Sequence, residues 1–360
     1  MYNHKPNEIH HRELYKSYIY LMDFFTKIDI PESEFKIDYN SKIAFLGSCF
    51  ADNISKRFTE RKFHTFVNPF GVIYNPLSIE NMVHKIANAN ERHASYTEKD
   101  IFYDGESWSS WDAHGSMSVK GSEQDTTARA ECIKNLNDAI IKSHLFLSNA
   151  NAAFITLGTA YVYFLKETGK VVSNCLKQDA SLFERRLISV EEAAQALRSI
   201  VKKIQEIKSD IHVIFTVSPL RHLNDGAHGN NLSKSTLLLA IEKIQQEFRS
   251  VTYFPSYEIV MDELRDYRFY AEDMTHLSAT AEDYIFERMQ ETYCDDTTIA
   301  HTKYVEKFMK GATHRIENAG SPRTVEFARQ QIAKAENLEH VIDGLDLSEE
   351  KEHFKKMFYI

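Results

Sequence analysis

The sequence predicts a three-layer α/β/α fold with a five-stranded, mainly parallel sheet, to which peripheral helices are added. Five short apolar runs lack the polar alternation of a half-exposed strand, and segments with helical spacing of apolar residues separate them. Strands that alternate with helices in this way pair in parallel and are covered by helices on both faces. The predicted strands are residues 42–47, 63–67, 152–158, 211–219 and 250–255.

Capping residues locate several of the helices between these strands. Asn75 stands before Pro76, which is typical of an N-cap followed by proline at the first helical position. Ser189 is followed three residues later by Glu192, the pattern of a capping box. Apolar spacing predicts further helices directly after residue 48 and at residues 127–147, 233–248 and 279–293.

The two ends of the chain fall outside this alternation. Residues 1–40 are predicted to be an N-terminal extension with one amphipathic segment, Leu14–Phe25, and residues 296–360 are predicted to form polar helices without a strand. We therefore expect one α/β domain at residues 41–295, with both extensions packed on its outside.

Two insertions interrupt the alternating region. Residues 93–125 contain Trp108 and Trp111 with several Gly and Ser, and we expect a long irregular surface excursion there. Its indole rings would either stack on a sugar ring or plug the core. Residues 161–174 are typical of a β-hairpin that turns at residues 167–170.

Composition excludes several classes of partner. The chain of 360 residues is 43% hydrophobic, as expected of a globular protein with a sizeable core. Its formal net charge is −9 and it contains no long Lys/Arg run, so we expect neither nucleic acid nor an anionic membrane surface as a partner. No stretch approaches the roughly 20 apolar residues of a membrane span.

The N-terminal sequence and the cysteines predict a cytoplasmic protein. The first residues lack a clean apolar core and a small-residue cleavage site, so we expect no secretory signal. The four cysteines are widely spread and form no CxxC pair, which favours reduced thiols. His4, His10 and His11 lack the spacing of metal ligands, and we expect neither a metal nor a cofactor.

Polar residues directly after the predicted strands are the candidates for a binding site. In parallel sheets, ligands bind at the carboxyl ends of the strands. The polar segments at these ends are Gly47-Ser48-Cys49, Asn68–Gly71, Gly158-Thr159, Ser218–His222 and, farther on, Asp273–His276.

Three of these residues have the chemistry of a nucleophilic site. A serine hydroxyl needs an adjacent base, and Asp273 stands three residues before His276, close enough for the carboxylate to hold the imidazole Nδ1–H. Nε2 of that imidazole would then accept the proton of Ser48, which follows the first strand and opens a helix. Cys49 is intrinsically the better nucleophile, although a small buried residue in the first helical turn is the favoured interpretation of it.

Several stretches of the chain resemble one family. The letters GSCFA at residues 47–51 match the signature of the GSCFA family, which is similar to the SGNH (GDSL-like) hydrolases. Other stretches that resemble it are NPFGVIYNPLSI, TLGTAYVY, TVSPLRH and YRFYAEDMTH. The resemblance implies that Ser48 is the nucleophile, Asp273 the acid and His276 the base. It also implies that the backbone N–H groups of Ser48 and Gly71 form an oxyanion hole.

The sequence departs from the wider SGNH pattern in one block. That pattern has Gly-x-Asn-Asp, with the Asn side chain in the oxyanion hole, where this chain has Gly158-Thr159-Ala160-Tyr161. Asn174, in the hairpin, is a candidate for the missing amide. Loss of one oxyanion donor costs on the order of 10²–10³ in rate.

The expected function is a serine-dependent esterase or O-deacylase that acts on a carbohydrate or small-molecule ester through an acyl-enzyme. Asn68, Thr159, Arg221 and His222 are the candidate substrate-binding residues. Arg221 is suited either to clamp a carboxylate or phosphate or to form a surface pair with a Glu. An O-acyltransferase with the same triad and a catalytically inactive binding module with the SGNH fold are the alternatives.

Overall fold

The computed structural model describes residues 26–89, 91, 95–312 and 320–358. The predicted segment Leu14–Phe25 and the histidines His4, His10 and His11 lie outside the described residues. The strands in chain order are β1 (Lys42–Gly47), β2 (His64–Val67), β3 (Phe102–Tyr103), β4 (Ser107–Ser109), β5 (Val119–Lys120), β6 (Ala152–Leu157), β7 (Tyr161–Leu165), β8 (Val171–Val172), β9 (Phe183–Leu187), β10 (His212–Val217) and β11 (Val251–Tyr253). The longer helices are α1 (Cys49–Glu60), α2 (Pro76–Ala87), α3 (Thr126–Leu147), α4 (Val190–Ile207), α5 (Gly226–Glu247), α6 (Ala279–Tyr293), α7 (Asp296–Ala312), α8 (Pro322–Val341) and α9 (Ser348–Lys356).

The central sheet confirms the predicted fold class. Its five strands lie in the order β2-β1-β6-β10-β11, and every neighbouring pair is parallel. Counted along the sheet, this is the 2-1-3-4-5 order of flavodoxin-like folds. The direction of winding reverses between β1 and β6, and such a switch point opens a crevice at the carboxyl ends of the two strands. Residues that follow β1 and β6 are therefore placed where a ligand can bind.

The sheet is buried on both faces because alternate side chains of each strand point to opposite sides. Phe45 and Phe154 stack at 5.0 Å between ring centroids on one face, against α1, α6 and the C-terminal helices. Leu46 and Ile155 point to the other face, against α2, α3, α4 and α5. Each fully buried side chain of this size contributes about 1.5–3 kcal/mol of transfer free energy. Because the strands are covered on both faces, their sequences are continuous apolar runs without polar alternation.

Both extensions share the core of the α/β region. Ile37 and Tyr39 precede β1, and Phe308 of α7 and Phe354 of α9 are buried in the same cluster as Phe45 of β1. In the described part of the chain beyond residue 295, the structure contains helices and no strand, as the sequence predicts.

Two predictions on secondary structure need correction. The helix predicted at 233–248 begins at Gly226, because Asn230 in its first turns is held by a hydrogen bond from the His222 N–H to Oδ1 (3.0 Å), a contact that helix propensity does not encode. The excursion at 93–125 is not irregular throughout, since β3, β4 and β5 form a small antiparallel sheet. The predicted hairpin is present as β7 and β8, and β9 joins it as an unpredicted third strand.

Candidate active site

Ser48 stands at the switch point, between the end of β1 and the start of α1. The turn depends on Gly47, whose φ of +132° is a conformation that L side chains rarely adopt. A Cβ at Gly47 would lie 2.1 Å from the carbonyl oxygen of Thr156 in β6, so only glycine fits. The Ser48 N–H donates to that same carbonyl oxygen at 3.1 Å. The β1–β6 ladder thus continues one residue beyond β1 and fixes the backbone of Ser48.

The hydroxyl of Ser48 has no hydrogen-bond partner among the described residues. The residue is 4% exposed, and its side chain makes no capping bond to the first turn of α1. A buried hydroxyl without a partner costs about 1–3 kcal/mol, and native proteins keep few such groups. A catalytic role is one of the reasons for which a fold retains one.

Asp273 and His276 form the predicted carboxylate–imidazole pair. Asp273 Oδ2 lies 2.5 Å from His276 Nδ1, and Asp273 Oδ1 accepts the N–H groups of Thr275 (2.9 Å) and His276 (2.8 Å). These hydrogen bonds, with that from His276 first, lower the pKa of Asp273 to about 2. An ionised carboxylate only accepts, so Nδ1 carries the proton and Nε2 of the neutral ring carries the lone pair. The imidazole is therefore held in the tautomer that a general base requires.

The structure does not join this pair to Ser48 by a hydrogen bond. The Ser48 hydroxyl is buried, whereas the side chains of His276 and Asp273 are 51% and 52% exposed. Of the three residues predicted as a triad, Asp273 and His276 form a hydrogen-bonded pair, and Ser48 is not hydrogen-bonded to it. Catalytic hydrogen bonds are often long in ligand-free enzymes and tighten around the substrate.

Neither predicted backbone donor of the oxyanion hole has a free N–H. The Ser48 N–H is used in the β1–β6 ladder, and the Gly71 N–H donates to the carbonyl oxygen of Asn68 at 2.8 Å. The sequence prediction for these two amides therefore does not match the structure, because a strand ladder and a tight turn already use them. Gly71 has a φ of +72° and closes the turn that starts at Asn68.

Both polar atoms of the Asn68 side chain are hydrogen-bonded within the protein. Its Oδ1 accepts the Gly47 N–H at 2.8 Å, and its Nδ2 donates to Asp52 Oδ1 at 2.5 Å. Its own φ of +36° lies in the left-handed region, which asparagine tolerates better than most residues. In the structure the Asn68 carboxamide thus fixes the backbone just before Ser48, and its substrate-binding role stays a prediction.

Asn174 is the predicted oxyanion donor whose side-chain amide remains available. Its Oδ1 accepts the Leu176 N–H at 2.8 Å, and no described residue accepts from its Nδ2. Asn174 lines a cavity of about 580 Å³ together with His114 of the excursion. His114 packs against the Gly71 turn, since a Cβ at Gly71 would lie 2.6 Å from the His114 Cβ. Asn174 thus shares a cavity with a residue of the Gly71 turn's surroundings, and Ser48 is not among the residues that line this cavity.

Thr159, Arg221 and His222, the other candidate substrate-binding residues, line one cavity at the carboxyl ends of β6 and β10. Its volume is about 330 Å³, at the small end of ligand-binding pockets. Thr275, the neighbour of His276 in the chain, lines the same cavity. The remaining lining includes three tyrosines and an ion pair, which are Tyr74, Tyr161, Tyr163, Arg185 and Asp225.

Burial and charge pairing leave most of this cavity wall neutral. Burial, with help from the Lys234 charge, lowers the pKa of His222 to about 4, so its ring is neutral at pH 7. Arg185 forms a bidentate pair with Asp225, and its guanidinium lies over the Tyr161 ring at 4.4 Å from the centroid. Arg221 carries the charge that this pairing does not neutralise.

Lys234, on α5, is a site residue that the sequence analysis missed. It is 1% exposed, and its Nζ donates to the carbonyl oxygens of Gly158 and Ser218, each at 2.6 Å. Lys234 thereby ties together the segments that follow β6 and β10, and burial lowers its pKa to about 7. The sequence held a signal for it, since Lys234 precedes the apolar Leu237 and Ile241 by three and seven residues and so shares their buried face.

Cys49 and the two tryptophans of residues 93–125, which the sequence left open as functional residues, make contacts within the fold. Burial, and secondarily the Asp52 charge, raise the pKa of the Cys49 thiol, so it is not a poised thiolate. Trp108 is buried and its indole N–H donates to the Ser122 carbonyl oxygen at 3.2 Å. Trp111 stacks on Phe102 at 3.9 Å between ring centroids and meets Phe183 edge to face, so one face of its indole ring is covered within the protein.

Three further features bear on the class of protein. All four cysteines are free thiols. Within residues 26–89, 91, 95–312 and 320–358, no group of three His, Cys, Asp or Glu side chains is arranged to hold a metal ion. Of the helices in that described part, none combines the length and apolar character needed to cross a bilayer.

The fold and these residues define an α/β protein with a serine at the switch point of a flavodoxin-like sheet and an aspartate–histidine pair before its last sheet-packed helix. Comparison with protein-family models matches the GSCFA family over residues 42–289, and the chain belongs to that family. Comparisons with curated proteins and with solved structures give no significant match.

Proposed function

We propose that the protein is a serine-dependent ester hydrolase of the SGNH type, acting on a carbohydrate or small-molecule ester through an acyl-enzyme. The observation that carries the proposal is the Asp273–His276 pair, in which a carboxylate with a pKa of about 2 fixes the imidazole tautomer. Membership of the GSCFA family and the buried, unpartnered hydroxyl of Ser48 support it.

The proposed reaction has two acyl-transfer steps. Ser48 Oγ attacks the ester carbonyl carbon and gives its proton to Nε2 of His276, while Asp273 stabilises the imidazolium. The imidazolium then protonates the leaving alcohol as its C–O bond breaks, which leaves an acyl-Ser48. A water molecule repeats the attack with His276 as base, releases the carboxylic acid and restores the hydroxyl.

The proposed oxyanion donors differ from those implied by the family resemblance. The Asn174 Nδ2 amide has no acceptor among the described residues, and the N–H groups of Cys49 and Phe50 in the first turn of α1 lie at the positive end of the helix dipole. The next N–H, that of Ala51, already donates to the Ser48 carbonyl oxygen. We assign the oxyanion to the Asn174 amide and to the first two N–H groups of α1, because the N–H groups of Ser48 and Gly71 are already paired. A site with fewer preorganised donors is expected to be slow, since each donor contributes about 10²–10³ in rate.

A serine-reactive fluorophosphonate probe with intact-mass readout tests the proposal. Wild type should gain one adduct, and Ser48→Ala should gain none. Cys49→Ser is the matched control, because it replaces the neighbouring nucleophile and should still be labelled. Hydrolysis of a short-chain aryl ester should fall by roughly 10⁴–10⁶ in Ser48→Ala. Wild-type turnover in that variant would contradict the assignment.

A non-catalytic binding module is the second candidate, and one observation favours it. The Ser48 hydroxyl makes no hydrogen bond to His276, so the two parts of the triad are not joined in the structure. This candidate expects no probe adduct on any of the three proteins between pH 6 and 9. It also expects no ester turnover above the Ser48→Ala level.

A further inference from the structure

Arg221 lies in the wall of the 330 Å³ cavity without an acidic partner. Its Nη1 donates to Asn231 Oδ1 at 3.2 Å and its Nη2 to the thioether sulfur of Met261 at 3.2 Å. Among the described residues, no carboxylate lies within the 4.0 Å of an ion pair with Arg221. A guanidinium has five N–H donors in a planar fork, so most of its hydrogen-bonding capacity is unused.

The other charges of the cavity do not neutralise Arg221. Asp225 is taken by Arg185, with which it forms a bidentate pair. His222 is neutral at pH 7 because burial lowers its pKa to about 4. Lys234, behind the cavity wall, adds positive charge whenever its amine is protonated. A partly buried site with one sign of charge attracts the opposite sign more strongly than the open surface does.

The shape of the cavity limits the size of the molecule to which an anionic group at Arg221 can belong. Tyr74, Tyr161 and Tyr163 line it, and tyrosine rings offer large flat apolar faces with a polar tip. A volume of about 330 Å³ suits one ring-sized group and not a long chain. Thr275 lies in the same wall, so a molecule held at Arg221 extends towards the segment that carries His276.

We propose that Arg221 binds an anionic group, a carboxylate or a phosphate, on a small ring-bearing substrate of the proposed hydrolase. The assignment of the ligand as a substrate rests on the proposed function, whereas the binding of the anion does not. The guanidinium fork meets the two oxygens of the anion, and the tyrosines hold the ring. The site then selects anionic esters over neutral ones of the same size.

Binding is measured first, by isothermal titration with three ring compounds that differ in one group: benzoate, phenyl phosphate and the neutral benzamide. Wild type should bind at least one of the anions about 10- to 100-fold more tightly than benzamide. The preference should be lost in Arg221→Gln and reduced in Arg221→Lys, which keeps the charge without the fork. Arg265→Gln is the matched control, because Arg265 pairs with Asp262 outside the cavity and should leave the preference intact. The tighter of the two anions identifies the group.

Turnover is measured second, with 4-acetoxybenzoate, 4-acetoxyphenyl phosphate and methyl 4-acetoxybenzoate. Their reacting acetyl ester is the same, but the para groups differ in electron withdrawal, so the change in the ratio of kcat/KM values between wild type and Arg221→Gln reports the contribution of Arg221. The ratio of an anionic ester to the neutral one should fall by about 10- to 100-fold in Arg221→Gln and remain at the wild-type value in Arg265→Gln. If anions bind through Arg221 but no ester is hydrolysed, the hydrolase proposal fails and the anion site stands. If anions and benzamide bind alike, or Arg221→Gln keeps the preference, the anion site is overturned whatever the turnover.

Discussion

Replacement of Lys234 by methionine should change how the stability of the protein depends on pH. Lys234 is 1% exposed, and its pKa is lowered from 10.5 to about 7, first by burial and then by the positive charge of Arg221. Its Nζ has two carbonyl acceptors, Gly158 O and Ser218 O, which match the two N–H groups of a neutral amine. Methionine has a similar length and removes the titrating group without leaving a large cavity.

The magnitude follows from the two pKa values. Between pH 7 and 10.5 the unfolded chain binds a proton at Lys234 that the folded protein has released, so the free energy of unfolding rises with pH. The slope approaches 1.4 kcal/mol per pH unit, and the full range is about 5 kcal/mol for a shift from 10.5 to about 7. Below pH 7 both states carry the proton and the slope vanishes. Charge on the Cys49 thiol would raise the Lys234 pKa and oppose this change.

The Lys234→Met variant separates the pH-dependent contribution of the Lys234 charge from the pH-independent contribution of its hydrogen bonds. Lys234→Met leaves two carbonyl oxygens unpaired, at about 1–3 kcal/mol each, at every pH. At pH 6 the substitution also removes the buried Lys234 ammonium, and this gain offsets the loss of the two hydrogen bonds. At pH 9.5 the folded wild type holds a neutral amine, so only the loss of the hydrogen bonds remains. The stability of wild type over Lys234→Met should therefore grow by about 2–3 kcal/mol between pH 7.5 and 9.5.

Urea unfolding at pH 6.5, 7.5, 8.5 and 9.5, followed by circular dichroism, measures that difference. Lys243→Met is the matched control on the same helix, because Lys243 is about half exposed and pairs with Glu191 at the surface. The control should show the same pH dependence as wild type. Parallel curves for wild type and Lys234→Met would refute the reasoning, since they would show that the fold does not disfavour the charged amine.

Three further outcomes follow from the site. Asp273→Asn should lower the plateau of the pH–rate profile by about 10²–10⁴, because the imidazole loses the acceptor that fixes its tautomer; an unchanged profile would remove Asp273 from the mechanism. Gly47→Ala should destabilise the protein by at least about 2 kcal/mol in urea unfolding, since its Cβ would lie 2.1 Å from the Thr156 oxygen at a φ of +132°; a wild-type midpoint would contradict this. Cys49→Ser should retain esterase activity within a few-fold, and abolished activity would reassign the nucleophile to Cys49.

The strands of the sheet were predictable because burial on both faces leaves a signal in every residue of a strand. The five predicted runs match β1, β2, β6, β10 and β11 to within one or two residues at each end. Where an element depends on contacts made elsewhere in the fold, the sequence is less informative. The start of α5 at Gly226 is an example, since Asn230 is held there by the backbone of His222.

The same distinction between local and long-range contacts separates the parts of the site. Asp273 and His276 are three residues apart, so a single turn brings them together, and spacing alone predicts the pair. The Ser48 N–H is different, because its acceptor, Thr156 O, is more than a hundred residues away and is selected by the register of β1 against β6. A one-residue change of that register would free the amide and turn the core residues of β1 to the wrong face. The burial of β1 on both faces therefore fixes the Ser48 amide in the sheet, and this is why the proposed hydrolase assigns the oxyanion to other donors.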